Sequence, residues 1–175
     1  DVAPRIQQLD REHRFDRALF PKMAELGLLG ISVPAEYGGA GMDYISLGLA
    51  CEELEYVDTS LRVILSVHVG LNCLSLLAWG TEAQKQKYLV PQAQGTRIAT
   101  YGLTEPEPLL APEKISLADV ADTFLVIAWS DLEKKRQKDP SGLSAFIVER
   151  AFKGFSSGTL THKWGILAGN TGFFK

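Results

Sequence analysis

Tyr101, Leu103 and Thr104 stand at the end of a short β-prone run, directly before Glu105 and Pro106. Pro106 pushes Glu105 towards extended geometry, which leaves a hydroxyl and backbone groups exposed at the rim of a sheet. Such a rim can hydrogen-bond a ligand, or it can be a plain strand running into a turn; spacing alone leaves both open. A second pattern, Gly154-Phe155-Ser156-Ser157-Gly158, satisfies the G-x-S-x-G form of a nucleophile elbow. An elbow needs a helix directly after its serine, and Thr159 to Gly165 does not read as one. No carboxylate side chain follows Glu149, so the order Ser, Asp/Glu, His also fails, and a serine hydrolase is set aside. His13, His68 and His162 lack metal-ligand spacing, and no metal site is expected. Cys51 and Cys73 sit in apolar helical stretches and are expected to be reduced core residues, neither bridged nor nucleophilic.

The elements that would position these residues fall into two halves. Residues 1–95 read as helical. Leu19, Met23 and Leu26 share one face, and Gly27 and Gly30 mark a stop. Leu47, Ala50, Cys51 and Leu54 form an amphipathic stripe. Asp58 is a candidate N-cap for the next helix, where Leu61, Ile64, Leu65, His68 and Leu71 line one side. His68 on that stripe is expected to be a hydrogen-bonded core histidine. The apolar window Val63–Trp79 is interrupted by Ser66, His68, Asn72 and Ser75, so it reads as a buried helix rather than a membrane span. Thr81 and Gln84 form a capping-box pattern, and Pro91 limits the helix that follows. The Gly38-Gly39-x-Gly41 loop needs positive φ and caps the next helix; no Gly-Lys-Ser/Thr makes it a phosphate loop. After Gly95, the runs Arg97–Leu103, Thr123–Trp129 and Leu143–Val148 are rich in β-branched and aromatic residues and read as antiparallel strands. The basic run Lys134–Lys138, flanked by Glu133 and Asp139, is expected to be a solvated loop.

Several segments in order resemble the acyl-CoA dehydrogenase family. They are Glu36-Tyr37-Gly38-Gly39-x-Gly41, Glu52-Glu53-Leu54, Gly80-Thr81-Glu82-x-Gln84-Lys85-x-Lys87-Tyr88-Leu89, and Leu103-Thr104-Glu105-Pro106. Gly154, Gly158, His162, Lys163, Gly165 and Ile166 match a middle-domain segment of the same family. The resemblance runs from about Phe20 to Ile166. It implies that Tyr101 and Leu103 pack near a flavin and that the Thr104 hydroxyl bonds the pyrimidine side of its ring, which tunes the cofactor. It implies that Ser116 faces flavin N5, and that Val67, Gly70 and Leu71 fall where the family sets acyl-chain length. The family's tryptophan two residues before that serine is Lys114 here. Its A-G-S-D segment has no counterpart, because Pro108 to Ser116 stands in that place.

The fold class expected is α+β: an all-α N-terminal bundle (1–95) followed by a small, incomplete antiparallel β domain (96–175). The family's C-terminal helical domain, which carries the catalytic base, lies outside this chain, so no catalytic residue is named. A longer parent protein is expected, since losing two strands would leave β edges unpaired. By resemblance the cofactor is FAD, the substrate an acyl-CoA, the electron acceptor an electron-transferring flavoprotein, and the assembly a homotetramer. The location implied is the cytoplasm in a bacterium or the mitochondrial matrix in a eukaryote. Two alternatives stand beside it: a non-catalytic relative that binds acyl-CoA or a protein, and a flavin acyl-CoA oxidase. The 175 residues suffice for a sizeable core, and 46% apolar and 22% charged residues are ordinary for a globular protein. The net charge of −3 argues against a nucleic-acid surface.

Overall fold

The computed structural model describes residues 2–102 and 115–174. Its N-terminal half contains α1 (Ala3–Glu12), α2 (Leu19–Glu25), α3 (Tyr44–Val57) and α4 (Thr59–Trp79). A further helix, α5, runs through Glu82–Gln84, Lys85–Leu89 and Val90–Ala93. The strands are β1 (Ala99–Gly102), β2 (Ile115–Ser116), β3 (Thr123–Trp129), β4 (Leu143–Glu149), β5 (Ser157–Thr159) and β6 (Thr171–Phe174). A short helix, α6 (Leu132–Gln137), lies between β3 and β4. The α+β architecture is the one the sequence implies. Its two halves share one core, in which Phe20, Leu29, Ile64, Leu65 and Val69 pack with Ile98, Leu117 and Phe124.

The strands form two sheets, ordered β1-β3-β4 and β2-β6-β5. Among the described residues, all pairs but one are antiparallel. β1 runs parallel to β3, with Ala99 opposite Thr123. A parallel neighbour requires a crossover, here the chain between Gly102 and Thr123, and local alternation carries no signal for it. Phe124 is fully buried between the sheets, its ring centroid 4.7 Å from that of Phe155 and 5.1 Å from that of Phe174. Ala168 N–H donates to Asp10 Oδ1 at 2.8 Å and ties the second sheet's loop to α1.

Helix α4 is long and apolar enough to cross a membrane by length and composition, with mean hydropathy 1.7. In the fold it is the core helix: Ile64, Leu65, Val69 and Cys73 are fully buried. Its segment Ser66–Cys73 is π-helical. The i→i+5 bonding puts an extra residue in the turn. Asn72 rather than Leu71 then follows His68 inward, and Leu71, expected inside, is 44% exposed. Leu26 is likewise turned out at 75% exposure, because α2 stops at Glu25 and Phe20 takes the inner place beside Leu19 and Met23. Asp58 adopts extended geometry before α4 but makes no side-chain cap bond to it.

The capping box forms as the pattern implies: Gln84 N–H donates to Thr81 Oγ1, and Thr81 N–H to Gln84 Oε1. The basic run is not a loop. Asp131 accepts from the N–H groups of Glu133 and Lys134 and starts α6, and the cations fall in its last turn, where the helix dipole favours them.

In the glycine loop, Gly38 (φ 82°) and Gly41 (φ 66°) hold the left-handed backbone. Gly39 is there for a different reason: a Cβ on it would lie 2.1 Å from the Val33 carbonyl oxygen. Gly39→Ala is therefore expected to lower stability by about 1–3 kcal/mol, since backbone must part to admit the methyl. Gly48→Ala is the control, because its Cβ meets nothing within 4 Å and it sits inside α3. Equal denaturation midpoints for the two variants would refute this account.

Candidate functional site

Strand β1 reaches the site because α4 holds its backbone. Ala99 N–H donates to His68 Nδ1 at 3.0 Å, and His68 Nε2 lies 3.0 Å from the Gln92 carbonyl oxygen. Nδ1 accepts, so Nε2 carries the proton and donates; the ring is neutral and spans helix, strand and α5. Burial holds its pKa below the usual histidine value, against the raising effect of its backbone bonds. The core-histidine expectation for His68 thus describes a strand anchor. One turn on, Asn72 Nδ2 donates to the Thr100 carbonyl at 2.7 Å.

Beyond these anchors Tyr101 faces a cavity of about 390 Å3 between α4, the start of α5 and the β3–β4 face. Leu76, Leu125, Ile127 and Ile147 are among its apolar walls; Ser75 and Gln84 are polar groups at it, and no lysine or arginine among the described residues lines it. Trp79, 89% exposed, stands at the edge. Size and lining are those of a small-molecule pocket. Sequence reasoning missed Ser75, Leu76 and Trp79, although they lie in the apolar window that it singled out. Their pairing with β3 and β4 depends on tertiary packing.

Ser116 is half-buried on the edge strand β2. It is not part of the Tyr101 cavity, but the Thr100 hydroxyl donates to its carbonyl and draws β2 against β1. Among the described residues the Ser116 hydroxyl makes no hydrogen bond. Leu103 and Thr104 lie outside the described residues, as do Glu105, Glu107 and Lys114. Val67 and Gly70 are half-buried on α4 away from the cavity lining, and a side chain at position 70 would meet nothing within 4 Å. The structure therefore joins the strands of Tyr101 and Ser116 through Thr100, but places Ser116, Val67, Gly70 and Leu71 outside the Tyr101 cavity.

Other candidate groups are committed elsewhere. Glu149 Oε1 accepts from Lys87 Nζ at 2.8 Å and Tyr88 Oη at 2.9 Å, and the Lys87 bond leads in holding this carboxyl below its ordinary pKa. Glu36, Glu52 and Glu53 are exposed. Cys51 and Cys73 are free thiols whose pKa values burial raises, and Cys73 Sγ donates to Gln92 Oε1. The G-x-S-x-G segment runs into strand β5, not a helix, and Ser157 Oγ accepts from Arg150 Nη1 at 2.9 Å. Among the described residues no group of three His, Cys, Asp or Glu side chains could hold a metal ion.

Comparison with known proteins adds an independent line. Residues 1–96 match the family model described as acyl-CoA dehydrogenase, N-terminal domain. A short-chain specific acyl-CoA dehydrogenase of Clostridium acetobutylicum is 42% identical over 192 residues, covering 98% of this chain and 49% of the relative. The butyryl-CoA dehydrogenase of Megasphaera elsdenii superposes with a TM-score of 0.88 at 31% identity, over 98% of this chain and 50% of that one. A structure described as the electron transferring flavoprotein of Acidaminococcus fermentans, studied for flavin-based electron bifurcation, gives 0.87 at 37% identity, over 98% and 49%. The chain spans about half the length of the proteins it matches.

Proposed function

The chain belongs to the acyl-CoA dehydrogenase family, and from that premise we propose that it supplies the helical domain and part of the β domain of a flavin-dependent short-chain acyl-CoA dehydrogenase. The reaction removes a proton from the α-carbon and a hydride from the β-carbon of an acyl-CoA thioester, leaving a trans-2-enoyl-CoA. FAD, when bound, accepts the hydride at N5. Electrons then pass to an electron-transferring flavoprotein, a partner chosen in part because that name stands on a structural neighbour of this fold. Short acyl chains are proposed because the Clostridium and Megasphaera relatives carry short-chain names.

The observation that carries this reading is the joining, at Thr100, of the strand that carries Tyr101 to the strand that carries Ser116. In this reading the two strands would flank the ring end of the cofactor. Tyr101 offers an aromatic wall beside an apolar cavity, and Ser116 offers a hydroxyl with no partner among the described residues. Among the described residues no lysine or arginine at the cavity meets the cofactor's diphosphate, so the lining suits a ring system rather than the whole molecule. Tyr101 and the Leu76, Leu125, Ile127 and Ile147 walls would exclude water from the reacting groups, which strengthens every polar contact there. The Ser116 hydroxyl would donate to the ring edge and influence its electronics. The base that takes the α-proton is not assigned to this chain.

The test is visible absorption of the full-length protein during anaerobic titration with butyryl-CoA. A bound flavin band that bleaches on titration is expected. Protein that binds no flavin would refute the dehydrogenase reading and leave acyl-CoA binding without redox chemistry. Rapid return of the band in air would instead identify an oxidase.

A further inference from the structure

Thr100 is where the two sheets meet. Its strand β1 is an edge of the first sheet, and β2, which holds Ser116, is an edge of the second. Among the described residues the two edges share no strand-ladder register, yet the Thr100 hydroxyl donates to the Ser116 carbonyl across the gap. Thr100 is itself fully buried and gripped from behind by Asn72, which is 2% exposed and donates to its carbonyl. Strand β2 is two residues long and pairs on its other side with Thr171 and Gly172. So short a ladder holds a residue weakly by itself. The backbone beside it is also constrained: Leu117 adopts φ 64°, which a leucine holds only where its surroundings impose it. Those surroundings include the bond from Leu117 N–H to Asn170 O, and Arg150 donating to the carbonyls of Ala118 and Ala121.

We infer that Thr100 is a positioning residue for the flavin ring. Its hydroxyl, bonded to the Ser116 carbonyl, sets the separation between the strand that carries Ser116 and the strand that carries Tyr101, and with it the place of the Ser116 hydroxyl relative to a bound ring. Asn72 is the second link, fixing Thr100 to the core helix. The inference rests on the flavin reading above and goes beyond it, because Thr100 itself need not touch the ring.

The experiment compares Thr100→Val, Thr100→Ala and Thr100→Ser in the full-length protein, with FAD as the probe. Valine matches threonine in shape and removes only the hydroxyl; serine keeps it. The readouts are FAD affinity and the visible spectrum of bound FAD, with far-UV circular dichroism to confirm folding. Thr100→Val is expected to fold, to bind FAD about threefold to tenfold more weakly, the worth of one hydrogen bond, and to shift the flavin spectrum. Thr100→Ser is expected to restore wild-type affinity and spectrum. If valine does not fold, alanine, which removes the same hydroxyl without the added methyl, is judged by the same readouts. Wild-type affinity and spectrum in a folded valine or alanine variant would overturn the positioning role while leaving the flavin reading intact. Failure of the wild-type protein to bind FAD would overturn that reading, and this inference with it.

Discussion

Replacing His68 by leucine is expected to lower folding stability by about 2–4 kcal/mol, the cost of stranding one buried donor and losing one further hydrogen bond. Leucine fills much of the imidazole's volume, so the loss reports hydrogen bonds more than a cavity. Ala99 N–H loses its acceptor in the interior, while the Gln92 carbonyl loses one of two donors and keeps Gly95 N–H at 3.0 Å. The same substitution should change how stability depends on pH. An unfolded histidine takes up its proton near 6.5, while burial holds the folded His68 below that value. The unfolded state therefore binds more protons as the solution turns mildly acidic, and stability rises with pH across that window. His68 contributes fully above 6.5, and its contribution is lost as pH falls from there towards the folded value. Denaturation midpoints at neutral and mildly acidic pH check both points. The wild-type midpoint should fall on acidification, and the leucine variant should start lower and fall less. A variant with the wild-type midpoint would show that the helix does not hold β1 through this ring.

Arg150→Met is the second large effect, with an expected loss of about 2–5 kcal/mol, since hydrogen bonds to charged groups are worth more than neutral ones. The guanidinium donates from Nε to Ala121 O at 2.6 Å, from Nη1 to Ser157 Oγ at 2.9 Å, and from Nη2 to Ala118 O. It also lies 5.4 Å from the ring centroids of both Phe124 and Phe155, a cation–π arrangement. Methionine keeps the apolar stem against those rings and removes the fork of donors. Arg150→Lys should recover only part of the loss, because one ammonium cannot reproduce three diverging donors. Hydrogen exchange would localise the damage. Amides of Leu117, Val120 and Ala121 should exchange faster, while those of α3, remote from the arginine, should not. Uniform acceleration across the chain would contradict a local clamp.

Much of this architecture was legible from short-range chemistry. The Thr81–Gln84 box, the β-branched run of β3 and the glycine loop each act through neighbours a few residues away, and each appears in the fold. The loop was legible for an incomplete reason, since Gly39 answers to the Val33 carbonyl rather than to a positive φ. What could not be read depends on distant partners. Apolar residues at helical spacing look alike in α and π geometry, so the inward turn of Asn72 in place of Leu71 had no local mark. Parallel pairing of β1 with β3 is settled by the crossover and by His68 receiving the strand. The basic stretch at Lys134–Lys138 gave way to the cap at Asp131, a signal present in the sequence but outweighed by charge. For the site, motif resemblance pointed to Tyr101, Leu103, Thr104 and Ser116 and to Val67, Gly70 and Leu71; of the first group, Tyr101 and Ser116 are among the described residues. Thr100, which joins their strands, matched no functional pattern and is visible only because two sheet edges meet there.

The tie between Ala168 and Asp10 bears on the order in which the molecule assembles. It closes a span of 158 residues, whereas β1 and β3 meet across a span set by Ala99 and Thr123. Loop-closure entropy grows with the logarithm of the span, so the longer closure costs roughly 1.5 kcal/mol more if each formed alone. The helices and the first sheet can collapse on nearby partners. The second sheet, which needs residues 115–116 beside 171–174, gains its contacts only after the chain between them is drawn in. The strand that carries Ser116 is thus placed late, on a scaffold that His68 and Asn72 have already set.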